Sequence, residues 1–132
     1  MTDPPAQLIQ QAVTGKISRT DAESFCTAEG IEIGQLYNCI GLIIAKRFDA
    51  GTISYHDGDT AMNAVFSMMV EDASRFGDGF EFSEPAFSIY CAFDSGEYDH
   101  GDGADPVERY TRPQIQDLIR MSDKTSEPTS EI

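Results

Sequence analysis

Between Ile33 and Phe48 the apolar side chains fall on nearly every side of a helix: Leu36, Tyr37, Cys39, Ile40, Leu42, Ile43, Ile44 and Phe48. A helix that is apolar all round is stable in water only when neighbours cover it, so this segment is expected at the centre of the fold. Gly34 and Gly41 lie within it, and each costs about 1 kcal/mol of helix propensity. In return, a glycine lets a neighbouring helix come close. The rest of the chain must therefore supply apolar faces that wrap this segment.

Those faces are helical. Leu8, Ile9, Ala12 and Val13 form one stripe, with Asp3-Pro4-Pro5 ahead of it in the pattern of a cap followed by prolines in the first turn. Ala22, Phe25 and Cys26 form a short second stripe, closed by Gly30. Met62, Val65, Phe66, Met69 and Ala73 repeat at helical spacing, which predicts a helix over about Tyr55 to Arg75. The run FGDGFEF breaks that pattern as a loop or short extended segment. Ser83-Glu84-Pro85 then opens a helix carrying Phe87, Ile89, Tyr90, Cys91 and Phe93. Thr111-Arg112-Pro113-Gln114 has the form of a capping box ahead of Ile115, Leu118 and Ile119. The expectation is an all-α fold: one compact bundle of about five or six helices around the central segment, spanning residues 1–122. Residues 123–132 are expected to be a flexible polar tail.

One phrase occurs twice between these helices. Gly15-Lys16-Ile17-Ser18 leads to Asp21, and Gly51-Thr52-Ile53-Ser54 leads to Asp57. The glycine suits the left-handed end of one helix. The serine suits the N-cap of the next, with the aspartate three residues on at the positive helix start. Ile17 and Ile53 precede the caps, where a hydrophobic staple begins. The same letters also occur in EF-hand calcium loops, with the glycine at the sixth position. In that register Gln10, Ala12 and Thr14 in one copy, and Lys46, Phe48 and Ala50 in the other, occupy positions that need oxygen ligands. The bidentate glutamate at the twelfth position is also missing, so EF-hand calcium binding is excluded.

Charge is distributed unevenly. Residues 48–108 carry 14 acids and one base, Arg75, so this stretch accounts for −13 of a net charge of −14. Such a surface repels nucleic acid and anionic membrane and favours a basic protein or a divalent cation. Asp94, Glu97, Asp99, Asp102, Asp105 and Glu108 stand close together without an intervening base, and Tyr98 lies among them with Tyr90 and Tyr110 on either side. Carboxylates with tyrosine suit a docking face, so these six acids and Tyr98 are the candidate partner-binding residues. A charge run also keeps a protein soluble, and both readings apply to the same letters.

A second echo concerns metal. His56 lies with Asp57 and Asp59, His100 lies with Asp99 and Asp102, and each group follows a Phe-Asp-x-Gly turn. Imidazole plus carboxylate is a transition-metal ligand set, and two such loops could converge on one divalent ion. No fixed ligand spacing accompanies them, and no other cofactor is implied.

Features of a catalyst are missing from the sequence. No Gly-x-Ser-x-Gly, Gly-Lys-Ser/Thr or Gly-x-Gly-x-x-Gly occurs. Cys26, Cys39 and Cys91 have no adjacent Lys, Arg or His to activate them. An odd number of cysteines among apolar neighbours suits a reducing compartment. The N-terminal MTDPPAQ lacks a basic n-region and an apolar h-region, and the apolar run from Cys39 to Ala45 is too short to span a bilayer. The expectation is a small acidic cytoplasmic binding protein without catalytic residues, of the inhibitor or immunity type, that engages a basic macromolecule. The alternatives are a divalent-metal-binding protein using the two histidine loops and a structural subunit that self-associates without a ligand.

Overall fold

A computed structural model describes residues 3–77 and 81–126. It contains six α-helices: α1 (Ala6–Val13), α2 (Arg19–Glu29), α3 (Ile33–Ala50), α4 (Tyr55–Phe76), α5 (Ala86–Asp94) and α6 (Arg112–Ser126). A π-helical turn, Val107–Thr111, leads directly into α6. No strand occurs among the described residues. The middle of the FGDGFEF break, residues 78–80, lies outside them.

The apolar segment is the hub, as its pattern requires. α3 packs against α2, α4, α5 and α6, while α1 lies on α4. Leu36, Ile40, Ile44, Ala45 and Phe48 of α3 are buried with Met62, Val65 and Met69 of α4, Ile89 and Phe93 of α5, and Ile115 of α6. Each fully buried large side chain stabilises the fold by about 1.5–3 kcal/mol. Gly41 permits the close approach expected of it. A Cβ there would stand 3.4 Å from the Ala86 Cα, so α5 crosses α3 almost backbone to backbone.

The repeated phrase is helix punctuation in both places. Ser18 Oγ accepts the Asp21 N–H at 3.1 Å, and Ser54 Oγ accepts the Asp57 N–H at 3.0 Å. Gly51 ends α3 in the left-handed conformation, at φ 79°. The reciprocal half of a capping box is taken by another residue: Gln11 Oε1 accepts the Ser18 N–H at 2.9 Å. Ile17 and Ile53 pack against the core as expected of staple residues.

Three local expectations need correction. Asp3 does not cap α1, whose N-cap is Pro5, in extended conformation and with no side-chain cap bond. Pro5 keeps an extended ψ of 153°, so the helix starts after both prolines. Thr111 does not cap α6 either. It lies inside a continuous helical run, fully buried, and its hydroxyl donates to the Ala92 carbonyl at 2.8 Å. The run continues through Pro113 because the turn before it is wide: the Arg112 N–H bonds back to the Val107 carbonyl, five residues earlier. Finally, α6 continues to Ser126, past the boundary expected at residue 122, and Lys46 pairs with Asp123 of that last stretch at 3.4 Å. The remainder of the expected tail, residues 127–132, lies outside the described residues.

The two Phe-Asp-x-Gly turns use their glycines differently. Gly51 supplies a positive φ, whereas Gly96 supplies room. A Cβ on Gly96 would run into the Thr111 hydroxyl and stand 3.0 Å from the Tyr55 ring. Phe48 and Phe93, the aromatic residues of the two echoes, meet edge to face with ring centroids 5.2 Å apart.

Candidate functional site

The acidic segment leaves α5 at Asp94 and re-enters helix at Val107, and its aspartates shape it. Asp99, Asp102 and Asp105 each accept a backbone N–H two residues on: Gly101 at 2.8 Å, Ala104 at 3.1 Å and Val107 at 3.0 Å. These are three Asx turns in succession. Tyr110 also donates to the Asp102 carboxylate, and Arg109 Nε stands 3.4 Å from it. The Tyr110 bond above all, with the Ala104 N–H and the Arg109 charge, holds the Asp102 carboxyl below its ordinary range. The same bond pushes the Tyr110 phenol up.

His100 serves the loop as a ring. It stacks between Tyr98 and Tyr110, with centroid distances of 4.4 and 3.8 Å, and its Nε2 donates to the Ser95 carbonyl at 2.8 Å. Tyr98, at the outer end of the stack, is 54 % exposed. Two of the six acids are paired with bases: Asp102 with Arg109, and Glu108 with Arg112 at 2.9 Å. Asp94, Glu97, Asp99 and Asp105 lie outside these two pairs.

The two histidine segments come to the same end of the bundle, joined by Tyr55 and Asp59. Tyr55 donates to the Phe93 carbonyl at 2.6 Å, and the two rings lie 5.9 Å apart. His56 sits exposed in the first turn of α4, and Asp57 follows it at the capped helix start. Asp59 is half-buried and meets Glu97. Burial first, then a hydrogen bond shared with Glu97 and the charges of Glu97 and Asp94, push the Asp59 carboxyl up to about 7. A hydrogen bond between two carboxyl groups needs a proton on one of them. Burial and the same three carboxylates also push up the phenols of Tyr55 and Tyr90. Among the described residues, no group of three or more His, Cys, Asp and Glu side chains is placed to hold a metal ion. Asp59, grouped by sequence with His56, is matched in space with Glu97 and Asp94.

Sequence reasoning missed a buried polar trio. Asp72 is 1 % exposed in a chain stretch otherwise rich in solvated acids. Its carboxylate accepts the Tyr37 hydroxyl at 2.6 Å and an Arg19 nitrogen at 3.0 Å, which ties α2, α3 and α4 together. Arg19 also reaches Glu71 at 2.9 Å and the Met68 carbonyl at 3.3 Å. Nothing in the immediate neighbourhood of Asp72 in sequence signals this, because both partners come from other helices. The three thiols sit where burial raises them above the ordinary cysteine range.

No protein-family model matches this chain, and comparison with curated proteins and with solved structures gives no match. Among the described residues, no helix is long and apolar enough to cross a membrane.

Proposed function

We propose that this protein is a binding protein rather than an enzyme, and that it captures a basic macromolecular partner through the 94–108 segment. The observation that carries the reading is the balance within that segment. Arg109 and Arg112 engage Asp102 and Glu108, while Asp94, Glu97, Asp99 and Asp105 stand outside those ion pairs. Three Asx turns and a stack of three rings fix the path of the loop, so its carboxylates are presented with little ordering left to lose on binding. Tyr98 stands outermost as a large amphipathic anchor. Fixed exposed charge accelerates encounter with a cationic surface. An inhibitor or immunity-type role in the cytoplasm fits this chemistry.

The test uses a Gly/Lys peptide as a purely cationic probe. Its association rate should fall steeply as salt is raised, because exposed charges are screened over about 8–10 Å at physiological ionic strength. Asp99→Asn, Asp105→Asn and Glu97→Gln combined should slow association without lowering the melting temperature. Asparagine keeps the Oδ1 acceptor that each Asx turn uses. Association of the triple variant at the undiminished rate would assign the charge to solubility alone.

A further inference from the structure

We infer that the outward face shared by α4 and α5 receives an amphipathic basic helix of another protein, with apolar anchors on Phe66, Phe87 and Tyr90 and Lys or Arg side chains over Asp59, Asp94 and Glu97. This rests on the basic-partner reading and extends it from a charged loop to a surface with two chemically distinct ends.

The face follows from helix spacing. Asp59, Asn63, Phe66 and Val70 recur three or four residues apart along α4, and Phe87, Tyr90 and Asp94 do so along α5. The helices run antiparallel. Tyr55, at the start of α4, bonds to Phe93 at the end of α5, and Phe66 stacks on Tyr90 farther along. Both sets of carboxylates therefore collect at one end and the rings collect at the other. The Phe66 and Tyr90 centroids are 4.0 Å apart and nearly parallel, and Phe87 lies 6.0 Å from Phe66.

Phe82 packs on Phe66 and Phe87 with centroids 5.5 and 5.0 Å apart, yet all these rings are only partly buried, and Val70 beyond them is 45 % exposed. The core does not claim this strip fully. Its acidic end argues for the occupant. Gly58 lies tight against the Phe93 ring and the Glu97 N–H bonds to the Asp94 carbonyl at 3.1 Å, which brings Asp59, Asp94 and Glu97 to one end of the strip. Such a concentration of negative charge attracts Lys or Arg and rejects an anionic or purely apolar visitor. An amphipathic helix laid along such a strip reads as anchors at helical spacing. Phe66 follows Asp59 by two turns, about 10 Å at a rise of roughly 1.5 Å per residue. The complementary helix thus carries its basic cluster two turns from its apolar anchors.

Two synthetic peptides of equal charge test this by NMR titration of the intact chain. One is a Leu/Lys helix with its leucines two turns from a lysine cluster. The other is the Gly/Lys peptide used above. The helix should bind at least about tenfold tighter, and the largest shifts should fall on residues 59–70 and 87–97. Phe66→Ala should abolish that preference. Asn63→Arg serves if the alanine variant folds poorly. Asn63 is exposed at the middle of the strip, and a cation there should repel the basic helix by a similar factor while the melting temperature stays unchanged. Equal affinity for the two peptides, or undiminished binding to Asn63→Arg, overturns the inference and leaves the charged-loop reading standing. Failure of both peptides to bind overturns both. Concentration-dependent self-association lost in Asn63→Arg would assign the face to a second copy of the chain and refute the proposed occupant.

Discussion

Asp59→Asn should make the protein more stable in mild alkali and leave it nearly unchanged in mild acid. In the folded chain the Asp59 carboxyl is pushed up to about 7 from an ordinary value of 3.8, by burial, by the hydrogen bond with Glu97 and by the charges of Glu97 and Asp94. The folded state therefore holds this proton over a pH range in which the unfolded state has lost it. Stability from this site is fully present below about pH 4 and is lost as pH rises through about 7. A shift of that size converts to about 4 kcal/mol at roughly 1.36 kcal/mol per pH unit. The carboxyl is only half-buried, and water screens its neighbours, so about 1–2 kcal/mol is the realistic effect. Asparagine carries no charge and still offers an N–H to Glu97, so it should remove most of that loss. Urea unfolding at about pH 4 and at pH 8 measures the difference directly. The variant should gain about 1–2 kcal/mol over the parent at pH 8 and little at about pH 4. Glu97→Gln should act in the same direction, and combining the two should give less than the sum, since both relieve one repulsion. Equal pH dependence in parent and variant, within about 0.5 kcal/mol, would refute the carboxyl–carboxylate contact.

Other substitutions probe the scaffold. Ser18→Ala and Ser54→Ala should each cost about 0.5–2 kcal/mol in denaturant unfolding, because each removes the acceptor for one otherwise unpaired helix N–H. Arg19→Met should cost about 3–5 kcal/mol by leaving the Asp72 carboxylate buried without its cation, and Tyr37→Phe about 1–3 kcal/mol by removing one of its donors. Gly58→Ala should lower the melting temperature by the equivalent of about 1–3 kcal/mol. Its Cβ would stand 2.6 Å from the fully buried Phe93 ring, which has no space to retreat into.

What the sequence made legible was what is local. Helical periodicity marked α3 as the hub and located the other helices. The serine caps at Ser18 and Ser54 were readable because donor and acceptor lie three residues apart. The Asx turns at Asp99, Asp102 and Asp105 are equally local, with acceptor and donor two residues apart, so the shape of the acidic loop was also within reach. What stayed hidden depends on distant partners. Thr111 has the letters of a cap, but its hydroxyl serves Ala92, which is far away in sequence. Asp72 has the letters of a solvated acid, but Tyr37 and Arg19 draw it inside. Asp59 pairs with Glu97 because the start of α4 lies beside the end of α5, an outcome of packing that its Gly/Asp-rich surroundings do not encode.

The buried trio also bears on which packings the chain rejects. The interior face of α4 carries Met62, Met68 and Met69, flexible side chains that fill irregular space in many arrangements. A core of that kind, taken alone, tolerates α4 slid along α3 by a turn with modest loss. The trio does not tolerate it. Such a displacement of about 5 Å takes Asp72 out of reach of both the Tyr37 hydroxyl and the Arg19 guanidinium. A carboxylate then remains in an apolar interior at a cost of several kcal/mol. Arg19, Tyr37 and Asp72 thus act as a key cut for one alignment of three helices: soft methionines supply cohesion, and a single buried charge supplies the uniqueness.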